Sequence, residues 1–155
     1  MTAANIEHRF RVALHDTDAA GVLFFAHLFR HAHDAYEAMM ARIGWPLDGL
    51  IRERQLGLPL VHAEADYRRP MRHGDQVAVR VERAELAAQG FSLAYGFVIG
   101  GQEVATALSV HAAIDPMLGK RQPLPPELAR ALAELPARGA QCPIGSGGSP
   151  FRLIA

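Results

Sequence analysis

The chain has 155 residues, sixteen basic and sixteen acidic side chains, a formal net charge of zero, and half its residues hydrophobic. That is enough for one domain with a real core, and it excludes a disordered or fibrous protein. The balanced charge leaves no global field to attract nucleic acid, and the single Cys142 excludes an internal disulfide framework.

The N-terminal MTAANIEHRF lacks a basic-then-apolar signal pattern, and no apolar run reaches membrane-spanning length. The expectation is a cytoplasmic protein with no membrane and no nucleic-acid partner. Residues 6–14, IEHRFRVAL, place Ile6, His8, Phe10, Val12 and Leu14 on one face, a period of two that predicts a strand. The polar loop HDTDAAG follows. Over residues 25–43 the apolar positions recur at steps of three and four, which predicts a long amphipathic helix. Gly44 and Pro46 end it. Residues 47–56 allow one or two short helical turns.

Four strand-like runs come next, at residues 58–69, 76–86, 91–99 and 103–114. Gly74-Asp75, Gln89-Gly90 and Gly100-Gly101 punctuate them as turns, so the last three predict an antiparallel meander. PPELARALAEL predicts a short helix with prolines at its start. Residues 1–136 thus form the expected domain, and 137–155 a tail rich in Gly, Ser and Pro. The order predicts an α+β fold, one long helix laid across a curved antiparallel sheet of about five strands. The sheet's edges and outer face are left for a second subunit.

His27 and His31 share a helix face, but the string is HLFRH, without the glutamate of a metalloprotease helix or an evident third ligand. They read as polar residues at the surface or a subunit contact, and no metal is expected. His33 reads as a packing residue beside Asp34 and Glu37, while His62, His73 and His111 are scattered. Serine catalysis lacks a GxSxG; Ser92 and Ser109 lie in strands, and Ser146, Ser149 and Cys142 in the tail.

Asp16 and Asp18 remain. A loop carboxylate folds a turn through its own oxygen or does chemistry, and both readings stand for each. Ala19, Ala20 and Gly21 leave space beside Asp18, and an apolar run leads into a helix start, whose unpaired N–H groups favour negative charge. A carboxylate beside such a terminus is suited to attack on a carbonyl.

The segment DTDAAGVLFFAHLF resembles the signature of the 4-hydroxybenzoyl-CoA thioesterase family, which has the hotdog fold. The likeness continues through GLPLVHAEADYRRPMRHGDQVAV and covers residues 6–116. HDAYE at residues 33–37, with DTDAAG, looks like the 1,4-dihydroxy-2-naphthoyl-CoA hydrolase branch. The resemblance implies an acyl-CoA thioesterase acting on an aromatic acyl group such as 1,4-dihydroxy-2-naphthoyl or 4-hydroxybenzoyl. It makes Asp18 the catalytic acid, the backbone N–H of Phe25 the oxyanion donor, and Asp16 and Gly21 supporting loop residues. It implies a homo-oligomer, dimer or tetramer, with no cofactor beyond the CoA of the substrate. Phe24, Phe25, Phe29, Tyr36 and Trp45 are candidates to line the acyl pocket. One departure stands out: where the bacterial 4-hydroxybenzoyl-CoA enzyme has a basic patch for the CoA phosphates, this chain has ELAAQGF. Arg68, Arg69, Arg72 and Arg83 are the substitutes. The competing classes are a short- or medium-chain acyl-CoA or acyl-carrier-protein thioesterase, a hydratase using His15 and Glu37, and a non-catalytic acyl-binding module.

Overall fold

The computed structural model describes residues 6–135; the tail expected at 137–155 lies outside the described residues. Three helices, α1 (His27–Arg42), α2 (Leu47–Glu53) and α3 (Pro126–Ala133), accompany seven strands. The strands are β1 (Glu7–Arg11), β2 (Leu60–Tyr67), β3 (Gln76–Ala87), β4 (Gly90–Ile99), β5 (Gln102–Ala112), β6 (Ile114–Asp115) and β7 (Lys120–Arg121). The first five form one antiparallel sheet in the order β1-β3-β4-β5-β2. This is the α+β architecture expected from the sequence, including the β3-β4-β5 meander.

The 16-residue α1 crosses the sheet because it must join β1 at one edge to β2 at the other. Its buried face carries Leu28, Ala32, Ala35, Tyr36, Met39 and Met40. Ala32 and Ala35 keep the helix close, so the larger side chains interdigitate with Val77, Val79, Phe91, Leu93, Tyr95 and Phe97 of the sheet. Truncating a fully buried phenylalanine such as Phe97 costs about 3–5 kcal/mol. A β-bulge between Val81 and Arg83 shifts the alternation of β3 by one residue. Ala84 and Leu86 therefore oppose the core-facing Leu93 and Phe91. α3 adds Leu128 and Leu132 to the same core.

Three local expectations change. β1 stops at Arg11 because the chain turns at Ala13 into a 3₁₀ turn, Leu14–Asp16, leaving Leu14 exposed and Asp16 buried. The long helix begins at His27 rather than residue 25. The end of the last predicted strand separates into the β6–β7 hairpin, where Asp115 Oδ1 accepts from the N–H groups of Met117 and Leu118.

One polar chain runs through the core. Burial pushes the His111 imidazole down to about 4, a shift the Leu58 carbonyl opposes and His33 assists. The neutral ring has one donor and one acceptor. Nδ1–H donates to Leu58 O at 3.3 Å, so Nε2 accepts from Ser109 Oγ–H at 3.0 Å, and Ser109 Oγ accepts from the Tyr95 hydroxyl at 2.8 Å. The unfolded chain titrates His111 near 6.5, so between that pH and 4 it binds a proton that the folded chain refuses. The stabilisation is complete above pH 6.5 and is lost as pH falls, by roughly 3 kcal/mol at the lower limit. Urea titrations from pH 7.5 to 4 are expected to show that loss, and His111→Gln a shallower acid limb; an unchanged slope in the variant would refute the assignment.

Candidate active site

The HDTDAAG segment folds into a tight loop whose hydrogen bonds are mostly main-chain. Asp18 N–H donates to Val22 O at 2.9 Å and Gly21 N–H to Asp18 O at 3.0 Å. Thr17 and Leu23 face one another across the loop as a bridge pair. The loop is docked on the crossover between β2 and β3: Leu23 N–H donates to Met71 O at 2.7 Å, and His73 N–H to Gly21 O at 3.1 Å. Gly21 has φ of +73°, a left-handed conformation that costs other residues strain. A Cβ there would meet nothing within 4 Å, so the turn rather than a close approach requires the glycine.

Asp18 is exposed at the loop's surface. Its Oδ1 accepts the N–H groups of Ala20 at 2.8 Å and Val22 at 3.3 Å. This is the Asx turn weighed from the sequence. No hydrogen bond among the described residues engages Oδ2. One oxygen therefore anchors the carboxylate and the other is available for chemistry.

Asp16, by contrast, is buried, only 2 % exposed. Arg30 Nη2 spans its two oxygens at 2.9 and 3.2 Å, and His31 Nε2 stands 3.0 Å from Oδ2. His27 Nδ1 is 3.2 Å from Oδ1 but out of hydrogen-bond alignment. Burial pushes the Asp16 carboxyl up, but the bonds and charges of His31 and Arg30 outweigh it and hold it below the usual range. Burial also pushes His31 down, against the pull of Asp16. At neutral pH His31 is thus a neutral donor, and Arg30 supplies the charge. Asp16 O also accepts Phe24 N–H at 2.8 Å, so this residue joins the loop to α1 through both side chain and backbone. Neither acid caps α1, whose N-cap is Ala26 without a side-chain bond.

His31 corrects the surface reading of the histidine pair: it is buried and stacked on Phe10 with ring centroids 3.5 Å apart. Arg30 was missed by the sequence reading, although His27, Arg30 and His31 lie at helical steps of three and four and so share one face.

Phe25 sits two residues before α1. Its carbonyl accepts the Tyr67 hydroxyl, while its own N–H meets no acceptor among the described residues. Phe24 and Phe25 are 40 % and 62 % exposed. The other proposed pocket aromatics are core: Tyr36 is buried, and Phe29 and Trp45 pack against the core from its margin.

A groove of about 240 Å³ opens beside the loop, between Val22 and Leu23 on one wall and Tyr67, Arg68, Arg69 and Met71 on the other. Arg68 is paired with Glu103 and Arg69 with Gln102. Arg72 pairs its backbone with Val22 as an isolated bridge. Arg83 stands apart, on β3 with β4 and β5 between it and β2, and its guanidinium is 3.1 Å from Glu85. The structure brings three of the four arginines to the loop and separates the fourth. A second cavity, of about 30 Å³, lies over Ser109, His111 and His33 and holds about one water molecule's volume.

Residues 12–132 match the family model of the thioesterase-like superfamily. A 1,4-dihydroxy-2-naphthoyl-CoA hydrolase of Synechococcus elongatus is 40% identical over 114 residues, spanning 73% of this chain and 84% of that protein. Among solved structures, a 1,4-dihydroxy-2-naphthoyl-CoA thioesterase from Synechocystis superposes with a TM-score of 0.78 at 30% identity, covering 85% of this chain and 98% of that one. A gentisyl-coenzyme A thioesterase gives 0.73 at 27% identity, covering 82% and 98%. The sheet order, the helix across it and these matches identify the hotdog fold, and the chain belongs to the thioesterase-like superfamily.

Proposed function

We propose that the protein hydrolyses an aromatic acyl-CoA thioester, with 1,4-dihydroxy-2-naphthoyl-CoA as the substrate. The observation that carries this reading is the division of oxygens at Asp18: Oδ1 is bound into the turn, while among the described residues neither the exposed Oδ2 nor the Phe25 N–H farther along the same loop has a hydrogen-bond partner. The names of the three relatives described above, two 1,4-dihydroxy-2-naphthoyl-CoA thioester hydrolases and a gentisyl-coenzyme A thioesterase, support the acyl class.

In this mechanism Asp18 delivers the nucleophile to the thioester carbonyl carbon, as its own Oδ2 or as a water molecule it deprotonates. The carbonyl oxygen gains negative charge and receives the Phe25 N–H, an interaction of roughly 2.7–4 kcal/mol in enzymes where such donors have been removed. The C–S bond then breaks and CoA leaves as the thiolate and takes up a proton; in the water route this releases the acid directly, and in the direct route it leaves an acyl–Asp18 anhydride that water cleaves to the acid and the free Asp18 carboxylate. Solvent oxygen-18 found in Asp18 after a single turnover identifies direct attack with water opening the anhydride at the Asp18 carboxyl carbon, whereas water activation leaves Asp18 unlabelled. Phe24 and Phe25, both exposed, meet the acyl ring. Arg68, Arg69 and Arg72 meet the coenzyme phosphates, with Arg83 outside that set.

The assembly we propose is a cytoplasmic homotetramer built on dimers. The edge strand β2 supports it, because it leaves Leu60, Val61 and Tyr67 49 %, 52 % and 45 % exposed. Sedimentation velocity checks the state; a monomer at micromolar concentration contradicts it. Among the described residues no helix is long and apolar enough to cross a membrane.

The two acids are expected to fail differently. Asn at position 18 keeps an acceptor for the Ala20 and Val22 amides, so the turn survives and only the carboxylate chemistry goes. Asp18→Asn should lower kcat for thiol release by about 10³-fold with an unchanged melting temperature. Retention of near-normal turnover excludes Asp18 as the catalytic acid. Asp16→Asn removes a buried charge whose partner Arg30 is 54 % exposed, and loss of these charge-assisted hydrogen bonds should cost about 1.5–3 kcal/mol of stability, read by urea denaturation. Wild-type stability in that variant would show that the Asp16 cluster does not hold the loop.

A further inference from the structure

His31 has two ring nitrogens, and only one is accounted for. The Asp16 carboxylate accepts and cannot donate, so the His31 nitrogen facing it, Nε2, carries the proton. Nδ1 is left for another partner. It is buried in a residue only 4 % exposed and has no hydrogen-bond partner among the described residues. What it faces is another acceptor: Asp34 Oδ2, one helical turn along α1, lies 3.7 Å away. His8 Nε2, from β1, is 3.9 Å from the same oxygen. The three ligand atoms all lie within 4.8 Å of one another. A buried polar nitrogen that meets a carboxylate oxygen and a second imidazole nitrogen, all too far apart to hydrogen-bond, leaves room for an ion that all three can ligate.

We propose that His8, His31 and Asp34 form a binding site for a divalent transition metal of the zinc type, which clips β1 to α1. Two imidazole nitrogens and one carboxylate oxygen are a zinc donor set, with water as the fourth ligand. Bond lengths of about 2.0–2.1 Å place tetrahedral ligands about 3.3 Å apart, so the observed spacings close by modest side-chain rotation. The two ligands that must move are the accessible ones: the side chains of His8 and Asp34 are 30 % and 42 % exposed, and that of His31 is 5 %. Their exposure also gives the ion its way in. Asp16 holding Nε2–H is the outer carboxylate that orients a metal-binding histidine and raises its basicity. The sequence drew attention to His27 and His31 four residues apart, but His27 faces Asp16 Oδ1. The second histidine comes instead from β1, nineteen residues before His27. The site lies on the far side of His31 from the Asp16 loop, takes no part in the thioester chemistry and does not depend on it.

The full-length chain, stripped with chelator, is titrated with zinc chloride by calorimetry and with cobalt(II) by visible absorption. The expected result is one ion per chain, a rise in melting temperature, and the intense cobalt bands of a four-coordinate site. His8→Gln and Asp34→Asn should each weaken zinc binding tenfold or more, while His62→Gln, at the exposed His62–Glu64 pair, should not change it. His31 itself is left intact because its loss would also unpair Asp16. No ion bound, or zinc affinity unchanged in both the His8→Gln and Asp34→Asn variants, overturns the proposal.

Discussion

A single buried carboxylate joins the two halves of the site. Asp16 is only 2 % exposed, and an ionised group so placed persists only with compensating partners. Those partners, Arg30 and His31, lie on α1, while the Asp16 backbone holds Phe24. The helix start, the N–H of Phe25 and the turn carrying Asp18 are thereby tied to one another. Desolvation makes the arrangement demanding: if α1 slid or rotated, Asp16 would be left charged and unpaired. The price of that exactness is met by the apolar packing of α1 along its whole length.

The sheet order explains why α1 can serve as the frame. With β1 and β2 at opposite edges, the helix joining them has to cross a face of the sheet, and the return from β2 to β3 brings residues 71–73 against the loop. The loop is thus pinned from α1 on one side and from the crossover on the other. The polar chain Tyr95–Ser109–His111–Leu58 acts elsewhere in the same layer, fixing β4, β5 and the approach to β2 against Tyr36, which stacks on His111 with centroids 4.3 Å apart.

Local periodicity made most of the elements legible. Steps of three and four marked α1, and alternation in Val77, Val79 and Val81 marked β3, because each pattern reports which side of an element meets the core. The loop's two acids and glycine were also visible, and with them the family. The pairing of β2 with β5 was not, since strand partners far apart in sequence are chosen by the whole sheet. Nor was the shift of alternation at the Val81–Arg83 bulge, which reads as an irregularity until the opposing strand is known. The role of Asp16 depended on Arg30, fourteen residues away, and no spacing rule connects a loop residue to a helix face it has yet to meet. The arginines proposed for the coenzyme phosphates show the same limit: four were named as substitutes for a missing basic patch, and within the chain topology separates Arg83 from the other three.

Around Asp18 the loop is held by backbone groups: Asp18 to Val22, Gly21 to Asp18, Leu23 to Met71 and His73 to Gly21. The side chains of Ala19 and Ala20 point to solvent and carry none of this scaffolding. Shape and surface are thereby decoupled. Residues at positions 19 and 20 can be exchanged to alter what the loop presents to a ligand while the bonds that aim the carboxylate stay in place. Such a loop can acquire new acyl preferences by small substitutions without first losing its geometry, a property that makes one framework serviceable for many thioesters.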